Sequence, residues 1–213
     1  MYNVKVLTFS PIQENTYILY NNEKDAIIID PGCYGRDEED QLRHFIDKEG
    51  LKLRLLLNTH CHLDHVFGMK FVAETWNLVP HFHRLEKPVL DYGPVAGLMW
   101  NLPFEVYSGA VVFLEEGDPT GLVGDPLQIF FTPGHSPGSI SFYYEPGGFV
   151  ISGDVLFRGS IGRTDLPGGD FDTLTSSIRE KLYTLPDNTM VYSGHGGSTT
   201  VGAEKRTNAY VTA

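Results

Sequence analysis

Apolar residues at the start of the chain alternate with polar ones or form short runs, which is the pattern of β-strands. The pattern predicts strands near residues 4–9, 16–20 and 26–30, with a turn at Asn21–Asn22 and a stop at Pro31–Gly32. Strands that follow one another through short turns form a β-meander. We therefore expect the chain to open with a sheet.

The spacing of apolar residues then changes to that of a helix. Leu42, Phe45 and Ile46 would share one helix face, acidic residues precede them, and Gly50 stands where a C-cap belongs. The spacing predicts a helix over 37–49.

The rest of the chain continues to alternate between strands and helices. The predicted elements are a strand over 53–58, a helix over 66–76, strands over 127–131, 140–144 and 149–152, a helix over 173–184, a strand over 189–193 and a helix over 201–208. Neither a repeat nor a low-complexity linker divides them, so residues 1–213 are expected to form a single domain. Strand-rich halves flanked by helices favour an α+β fold in which two packed sheets carry helices on both outer faces, an αββα four-layer sandwich.

Composition and charge narrow the range of partners. A hydrophobic content of 41% in 213 residues is enough for a sizeable core. The net charge of -11 repels phosphate backbones and acidic membranes, so neither a nucleic acid nor a membrane is expected as a partner. No window approaches the roughly eighteen apolar residues of a membrane span, and the first ten residues do not resemble a secretion signal. The oligomeric state stays open.

The two cysteines, Cys33 and Cys61, are too few for a disulfide framework. A reducing compartment is the simpler setting, so we expect a cytoplasmic protein. A single bridge between the two thiols, or a redox role for either of them, is left open by the sequence.

Metal-ligand side chains are concentrated in residues 59–65, T-H-C-H-L-D-H. In an extended segment His60 and His62 point to the same side and could share one ion. The turn that follows would direct Asp64 and His65 toward a second ion. Burying three imidazoles together without a cation would be costly in desolvation and repulsion. The segment therefore predicts half of each of two metal sites.

Three further ligand-type residues, His135, Asp154 and His195, each follow an apolar run inside a glycine-containing turn. A neighbouring glycine lets the backbone approach a metal closely, and a strand end holds a ligand on a rigid element. Each turn alone is a weak motif, but the recurrence supports the metal prediction.

These residues, in this order, resemble the signature of the metallo-β-lactamase superfamily over essentially the whole chain. The stretch from Ser152 to Asp170, S-G-D-V-L-F-R-G-S-I-G-R-T-D-L-P-G-G-D, further resembles the short glyoxalase-II-like branch, whose members are related to hydroxyacylglutathione hydrolase. Only 18 residues follow His195, so we expect the single domain to lack the C-terminal helical domain of glyoxalase II.

The resemblance implies a pair of metal sites. A first ion would be bound by His60, His62 and His135, a second by Asp64, His65 and His195, and Asp154 would bridge both. The expected cofactor is two divalent transition-metal ions, with zinc preferred and iron or manganese as alternatives. Such ions lower the pKa of bound water to about 7 and polarise a carbonyl group. Asp64 and Asp154 are the expected catalytic carboxylates.

The preferred hypothesis is a metallohydrolase of small-molecule thioesters, such as S-lactoylglutathione or related S-2-hydroxyacyl thiols, acting through a metal-bridging hydroxide. Arg163 is the expected substrate-binding residue, because the matching basic residue of glyoxalase II faces the glutathione backbone. Its structural alternative is a salt bridge with Asp165 or Asp170. The tyrosines of glyoxalase II that would also face glutathione are replaced here by Asp165 and by Gly196–Gly197 after His195.

Two other activities are kept as alternatives. A mononuclear iron persulfide dioxygenase would use only His60, His135 and Asp154, and it would consume oxygen. A lactonase or another hydrolase of the same fold is the further alternative, because the ligands determine water activation and not the substrate.

Five more positions are weighed against structural roles. Asp30 is either a turn residue or a support for the metal histidines. Cys61 is expected to point away from the metals as a structural residue. The pair His81 and His83 is assigned to the exposed face of a strand, and His44 to the surface of a helix.

Overall fold

A computed structural model describes residues 1–212. The strands are β1 (Asn3–Phe9), β2 (Glu14–Tyr20), β3 (Asp25–Ile29), β4 (Lys52–Leu57), β5 (Pro80–Phe82), β6 (Val112–Phe113), β7 (Thr120–Leu122), β8 (Asp125–Phe131), β9 (Ile140–Tyr144), β10 (Phe149–Gly153), β11 (Leu156–Phe157), β12 (Ser160–Ile161), β13 (Met190–Ser193) and β14 (Thr199–Thr200). The α-helices are α1 (Arg36–Glu49), α2 (Leu63–Val66), α3 (Met69–Trp76), α4 (Lys87–Met99), α5 (Phe171–Glu180) and α6 (Val201–Thr207). Short 3-10 helices occupy Arg84–Glu86, Glu145–Gly147 and Leu182–Thr184.

Two six-stranded sheets contain most of the strands. The first has the order β1-β2-β3-β4-β5-β6, antiparallel as far as β3 and parallel from there on. The second has the order β14-β13-β10-β9-β8-β7, in which only the β10 and β13 pair is parallel. Strands β11 and β12 form a separate hairpin. Parallel neighbours end at the same sheet edge, so the segments that leave them start close together.

The side chains of the strands divide the core into three clusters. On β3, Ile27 and Ile29 face the second sheet and join a cluster with Phe142, whereas Ile28 faces the other way and joins a cluster with Leu42 of α1. A third cluster fills the space between the outer face of the second sheet and α5 and α6. Because strand side chains alternate between faces, the layers follow as helix, sheet, sheet and helix. The predicted αββα sandwich is confirmed.

The element predictions for the first 58 residues agree with the structure to within two residues. Gly50 ends α1 in the left-handed conformation, with φ 64°, and its N–H donates to the carbonyl groups of Asp47 and Ile46. Glycine adopts this conformation without steric cost, so the predicted C-cap is confirmed.

The predicted continuous helix over 66–76 is wrong. The structure contains two helices, α2 and α3, separated at Phe67–Gly68. The N–H of Gly68 donates to the carbonyl of Pro31 at 2.8 Å instead of continuing the helical ladder. A side chain at Gly68 would also overlap the sulfur of Cys33. The break keeps α2 as one short turn beside the strand ends.

The helix predicted over 173–184 is shifted and shortened. Helix α5 begins at Phe171, because the Asp170 side chain accepts a hydrogen bond from the N–H of Thr173 at 2.7 Å and forms the N-cap. It ends at Glu180, and a 3-10 turn replaces its predicted last part.

Two expectations about the environment of the protein can be compared with the structure. Cys33 and Cys61 are both buried and free, so the single bridge between them is not formed. In the part of the chain that the structure describes, no helix combines the length and the apolar character needed to cross a membrane.

Candidate metal centre

The seven predicted metal ligands converge where strands of both sheets end. The ligand segments follow β4 (His60 and His62), form α2 (Asp64 and His65), connect β8 to β9 (His135), follow β10 (Asp154) and follow β13 (His195). Strands of both sheets thus bring ligands to the same region. The sequence prediction that these turns meet agrees with this geometry.

The first group, which we call the tri-histidine cluster, consists of His60, His62 and His135. Their ring nitrogens lie within 4.8 Å of one another. His62 Nδ1 and His135 Nε2 are 2.8 Å apart. The predicted strand alternation does not produce this arrangement, because β4 ends at Leu57 and His62 directly precedes α2. The convergence of the two histidines is correct, but its local cause is a loop that leads into a helix.

The second group, the mixed cluster, consists of Asp64, His65 and His195. Their ligand atoms also lie within 4.8 Å of one another. Asp64 Oδ2 is 3.1 Å from His195 Nε2 and 3.8 Å from His65 Nε2. The single turn of α2 buries Asp64 and His65 next to each other, so one short helix supplies two of the three groups.

Asp154 lies between the two clusters. Its Oδ1 is 3.5 Å from His65 Nε2, and its Oδ2 is 3.6 Å from His135 Nε2 and 3.5 Å from His195 Nε2. Gly194 leaves room for this carboxylate, because a methyl group at that position would overlap Asp154 Oδ1 and lie 2.7 Å from His65 Cε1. The position is the one that a bridging carboxylate needs.

The residues present fit a pair of transition-metal ions. His60 Nε2, His65 Nε2 and Asp154 Oδ1 are buried and have no hydrogen-bond partner among residues 1–212. Unpaired buried polar atoms are costly, and all three belong to the expected ligands. Imidazole nitrogens and carboxylate oxygens are ligands that zinc, iron and manganese accept.

Without metal, the two clusters hold protons differently. Burial, followed by the neighbouring imidazoles, lowers the pKa of His60 well below its usual value and that of His62 to about 3. Burial also opposes the charge of His65 and His195. Asp154 and Asp64 outweigh it, raising the pKa of His65 well above its usual value and that of His195 to about 9. At neutral pH the tri-histidine cluster is uncharged, and the mixed cluster retains protons.

In two of the ligand histidines, His65 and His135, the second ring nitrogen has a hydrogen-bond partner behind the centre. Asp30 Oδ2 accepts from Thr59 Oγ1 at 2.6 Å and lies 3.0 Å from His65 Nδ1. Asp30 also has φ 51°. Its side chain forms no Asx turn, because the N–H of Gly32 donates to Thr16 Oγ1 at 2.9 Å, so the contacts favour a support for the histidines. His135 Nδ1 lies 2.8 Å from the carbonyl oxygen of Arg163. Such partners orient metal-binding imidazoles.

One functional candidate, Glu14, was missed by the sequence analysis. Its side chain is fully buried, and Oε1 lies 3.9 Å from His65 Nδ1. Oε2 accepts from Thr16 Oγ1 at 3.0 Å, and burial raises the pKa of the carboxyl group well above its usual value. The available signal was the polar run Glu14–Thr16 at the start of an otherwise apolar strand.

The side chain of Arg163 is paired within its own loop. Its Nε and Nη2 each donate to Asp165, both at 2.7 Å. The salt bridge considered as the structural alternative is therefore formed. Both side chains are exposed, 49% and 69% respectively, so the guanidinium remains accessible from solvent.

The structure also places the other weighed residues. Cys61 is fully buried in the cluster between the first sheet and its helices, as expected for a structural residue. The prediction of an exposed His83 is wrong, because this ring is buried and its Nε2 lies 3.0 Å from Glu115. His81 is partly buried and His44 is exposed.

A family model described as the metallo-beta-lactamase superfamily matches residues 10–195, a range that contains both clusters and Asp154. The chain belongs to the metallo-beta-lactamase superfamily. A probable metallo-hydrolase of this kind, YqgX from Bacillus subtilis, is 42% identical over 94% of this chain and 93% of its own. The hydroxyacylglutathione hydrolase GloC from Haemophilus influenzae is 37% identical over 98% of both chains. The chain is thus similar to the glyoxalase-II-like branch over nearly its whole length.

Solved structures of superfamily members show the same architecture. BLEG-1, named as a B3 metallo-beta-lactamase, aligns with a TM-score of 0.91 at 37% identity, over 99% of this chain and 100% of its own. TTHA1623 in a di-iron-bound form aligns with a TM-score of 0.88 at 39% identity, over 97% of this chain and 100% of its own. These similarities establish a metallohydrolase family and leave the substrate to be argued separately.

Proposed function

We propose that this superfamily member is a binuclear-metal hydrolase of thioesters, with S-lactoylglutathione and related S-2-hydroxyacyl thiols as candidate substrates. The observation that carries the proposal is Asp154, whose carboxylate lies within 3.6 Å of ring nitrogens from both clusters. A single-ion site would not need the second triad of ligand atoms. The substrate class is supported by the similarity to a relative named as a hydroxyacylglutathione hydrolase.

The ligand residues are suited to water activation. Two divalent ions at these clusters would supply a water molecule with a pKa near 7 and a Lewis acid for the carbonyl oxygen. Asp64 and Asp154 contribute only two negative charges to this centre, so it stays electrophilic. Asp64 Oδ2 lies 3.1 Å from His195 Nε2, and His195 is 25% exposed, so this side of the centre is open to solvent.

A covalent route through a cysteine is not supported. Cys33 and Cys61 are both buried, and burial raises the pKa of each thiol above its usual value. The thiolate is the reactive form of cysteine, so neither residue is an effective nucleophile. Hydrolysis by activated water therefore accounts for the site better than an acyl-enzyme pathway.

The proposal is tested with purified protein loaded separately with zinc, iron or manganese. We expect two ions per chain and release of free thiol from S-lactoylglutathione, followed with a thiol reagent. His44→Ala serves as a matched control, because His44 is exposed on α1, away from both clusters. A protein that binds two ions but hydrolyses no thioester would contradict the proposed substrate class.

The same preparations distinguish the other candidate activities. A β-lactam substrate is included because BLEG-1 is named as a β-lactamase. The persulfide dioxygenase alternative needs one iron, held by His60, His135 and Asp154. One iron per chain together with oxygen uptake in the presence of a persulfide would favour that alternative and exclude the hydrolase.

A further inference from the structure

One buried carboxylate outside the ligand set contacts both segments of the tri-histidine cluster. Glu86, the residue directly before α4, is 0% exposed. Its Oε2 accepts a hydrogen bond from the N–H of Cys61 at 2.7 Å. Its Oε1 accepts from Ser136 Oγ at 2.5 Å and from the N–H of Gly138 at 2.6 Å. Each oxygen thus serves a different segment of the chain.

The donors are neighbours of the metal-ligand histidines. Cys61 lies between His60 and His62, and Ser136 directly follows His135. The mixed cluster has no contact with this carboxylate among the hydrogen bonds of the described residues. The connection is therefore specific to one of the two clusters.

The packing around Glu86 is close at the loop that follows His135. A methyl group at Gly138 would lie 2.9 Å from both the backbone nitrogen and Cγ of Glu86. Distances of this kind are not tolerated in well-packed interiors. The loop after His135 therefore needs a glycine in order to dock on the carboxylate.

The chemistry of this contact indicates a role beyond packing. A buried carboxylate is costly unless its oxygens are hydrogen-bonded, and Glu86 forms no salt bridge within residues 1–212. An apolar side chain would fill the space at lower cost, but it could not accept three hydrogen bonds from two segments. The three hydrogen bonds are 2.5 to 2.7 Å long, so they restrain the separation of the two segments.

We propose that Glu86 is a positioning residue that sets the spacing between the His60–His62 segment and the His135 segment, and thereby tunes metal affinity at the tri-histidine cluster alone. The inference rests on the proposed two-ion centre. Hydrogen-bond partners behind metal ligands typically contribute about 10- to 100-fold to metal affinity. Glu86→Gln keeps the shape but replaces one acceptor oxygen by a donor, so it can serve only one of the two segments.

The experiment measures the affinity of each cluster separately. His195→Ala leaves the tri-histidine cluster as the intact site, and His60→Ala leaves the mixed cluster. Each variant, with and without Glu86→Gln, is titrated with Zn²⁺ against a chromophoric chelator and with Co²⁺ by visible absorption. We expect Glu86→Gln to weaken binding about 10- to 100-fold in the His195→Ala background, with an altered Co²⁺ spectrum. In the His60→Ala background the affinity should be unchanged.

A second pair of variants covers the case in which Glu86→Gln does not fold. Ser136→Ala removes one donor and should weaken the tri-histidine cluster about tenfold. Ser139→Ala is its matched control, since Ser139 is buried in the same loop and its hydroxyl has no partner among the described residues. Equal weakening by both serine variants would overturn the proposal, as would equal weakening of both clusters by Glu86→Gln.

The outcomes also separate this inference from the proposed centre. If the two-ion centre is wrong, His195→Ala and His60→Ala will not each leave one bound ion. If only the role of Glu86 is wrong, both single variants bind one ion and Glu86→Gln changes neither affinity selectively.

Discussion

The tri-histidine cluster and the mixed cluster lie side by side but differ in how the protein prepares them. In the first, burial and neighbouring imidazoles keep the pKa of His60 and His62 low, so the donors are neutral before any ion arrives. In the second, carboxylates raise the pKa of His65 and His195, so protons occupy the place of a cation. One cluster is ready for metal binding, whereas the other must exchange protons for metal.

The supports behind the clusters differ as well. His135 is oriented by a backbone carbonyl, that of Arg163, at 2.8 Å. His65 is oriented by a buried carboxylate, that of Asp30, at 3.0 Å. Backbone support survives most substitutions, whereas carboxylate support depends on one side chain. The comparison predicts that a change of the Asp30 side chain will disturb the orientation of His65, whereas a change of the Arg163 side chain will leave the orientation of His135 as it is.

The largest effect is expected from Asp154, because it is shared by both clusters. Asp154→Ala should lower thioester hydrolysis by about a thousandfold or more, equivalent to about 4 kcal/mol, and lower the occupancy of both clusters. Turnover of S-lactoylglutathione and metal analysis after dialysis would measure this. Near-normal turnover with two bound ions would show that Asp154 does not join the clusters.

Removing one ligand from either cluster should show whether the two clusters bind metal independently. His60→Ala and His195→Ala are each expected to lower the metal content from two ions to one, because the altered cluster retains only two of its own ligands and the other keeps all three. Elemental analysis gives the content, and His44→Ala is the matched control. If either variant loses both ions, the clusters bind as one cooperative unit and the comparison fails.

The residues that the sequence predicts as metal ligands lie close together in the structure, and they could be named from the sequence because their signal is local. Residues 60–65 contain four of the seven predicted ligands within six positions, and the other three ligands each lie in a turn that contains glycine. Glu14 and Glu86 carry no local signal of this kind. Glu86 acts through hydrogen bonds to residues 25 to 52 positions away, and such contacts appear only when the two sheets are packed together.

The fold is predictable where apolar periodicity is strong and not where elements are short. Within residues 77–124 the sequence predicts only a strand at His81 and His83, yet this range contains β5, β6, β7 and α4. Helix α4 includes Gly93, Pro94 and Gly97, residues that usually disfavour a helix. Gly93 and Gly97 pack against the ring of Phe104, so tertiary contact explains the helix where local propensity does not.

A smaller effect is expected behind the mixed cluster. Asp30→Asn should weaken metal binding there about 10- to 100-fold, because an amide cannot accept from Thr59 and hold His65 in the same way. The measurement is a chelator titration in the His60→Ala background. Asp25→Asn is a matched control on β3, the strand that ends directly before Asp30, since the Asp25 side chain pairs with Arg54 at the surface. Equal effects of the two substitutions would count against a support role for Asp30.

The number of protons released when metal binds is expected to differ between the two clusters. His195, with a pKa of about 9, is protonated at pH 7.5, so a metal ion must displace its proton. His62, with a pKa of about 3, has no proton to lose at that pH. Metal affinity of the mixed cluster should therefore rise as the pH increases from 7 to 9. The metal affinity of the tri-histidine cluster should not change over this pH range.

Calorimetric titration in buffers of different ionisation enthalpy counts the released protons. In the His60→Ala background we expect at least one proton per ion at pH 7.5. In the His195→Ala background we expect close to none. Equal proton release from the two clusters would remove the electrostatic difference on which the comparison rests.

The smallest effect is expected from the side chain of Arg163. Only its backbone carbonyl contacts His135, and Arg163→Ala keeps that carbonyl, so the tri-histidine cluster should bind metal as before. Its guanidinium is already paired with Asp165, and exposed pairs of this kind contribute little to stability because solvent screens them. A carboxylate of a carrier thiol would have to compete with Asp165. We therefore expect Arg163→Ala to raise KM for S-lactoylglutathione less than about tenfold, with kcat unchanged.

The preference for one carrier thiol over another also tests whether Arg163 binds glutathione. S-lactoylglutathione is compared with an S-lactoyl ester of a small thiol without the peptide, in the wild type, Arg163→Ala and Arg43→Ala. Arg43 is a matched control, because it is similarly exposed and pairs with Asp40. We expect a glutathione preference below about a hundredfold in kcat/KM, equivalent to roughly 2.7 kcal/mol. A larger preference that disappears only in Arg163→Ala would mean that the guanidinium leaves Asp165 to bind the carrier.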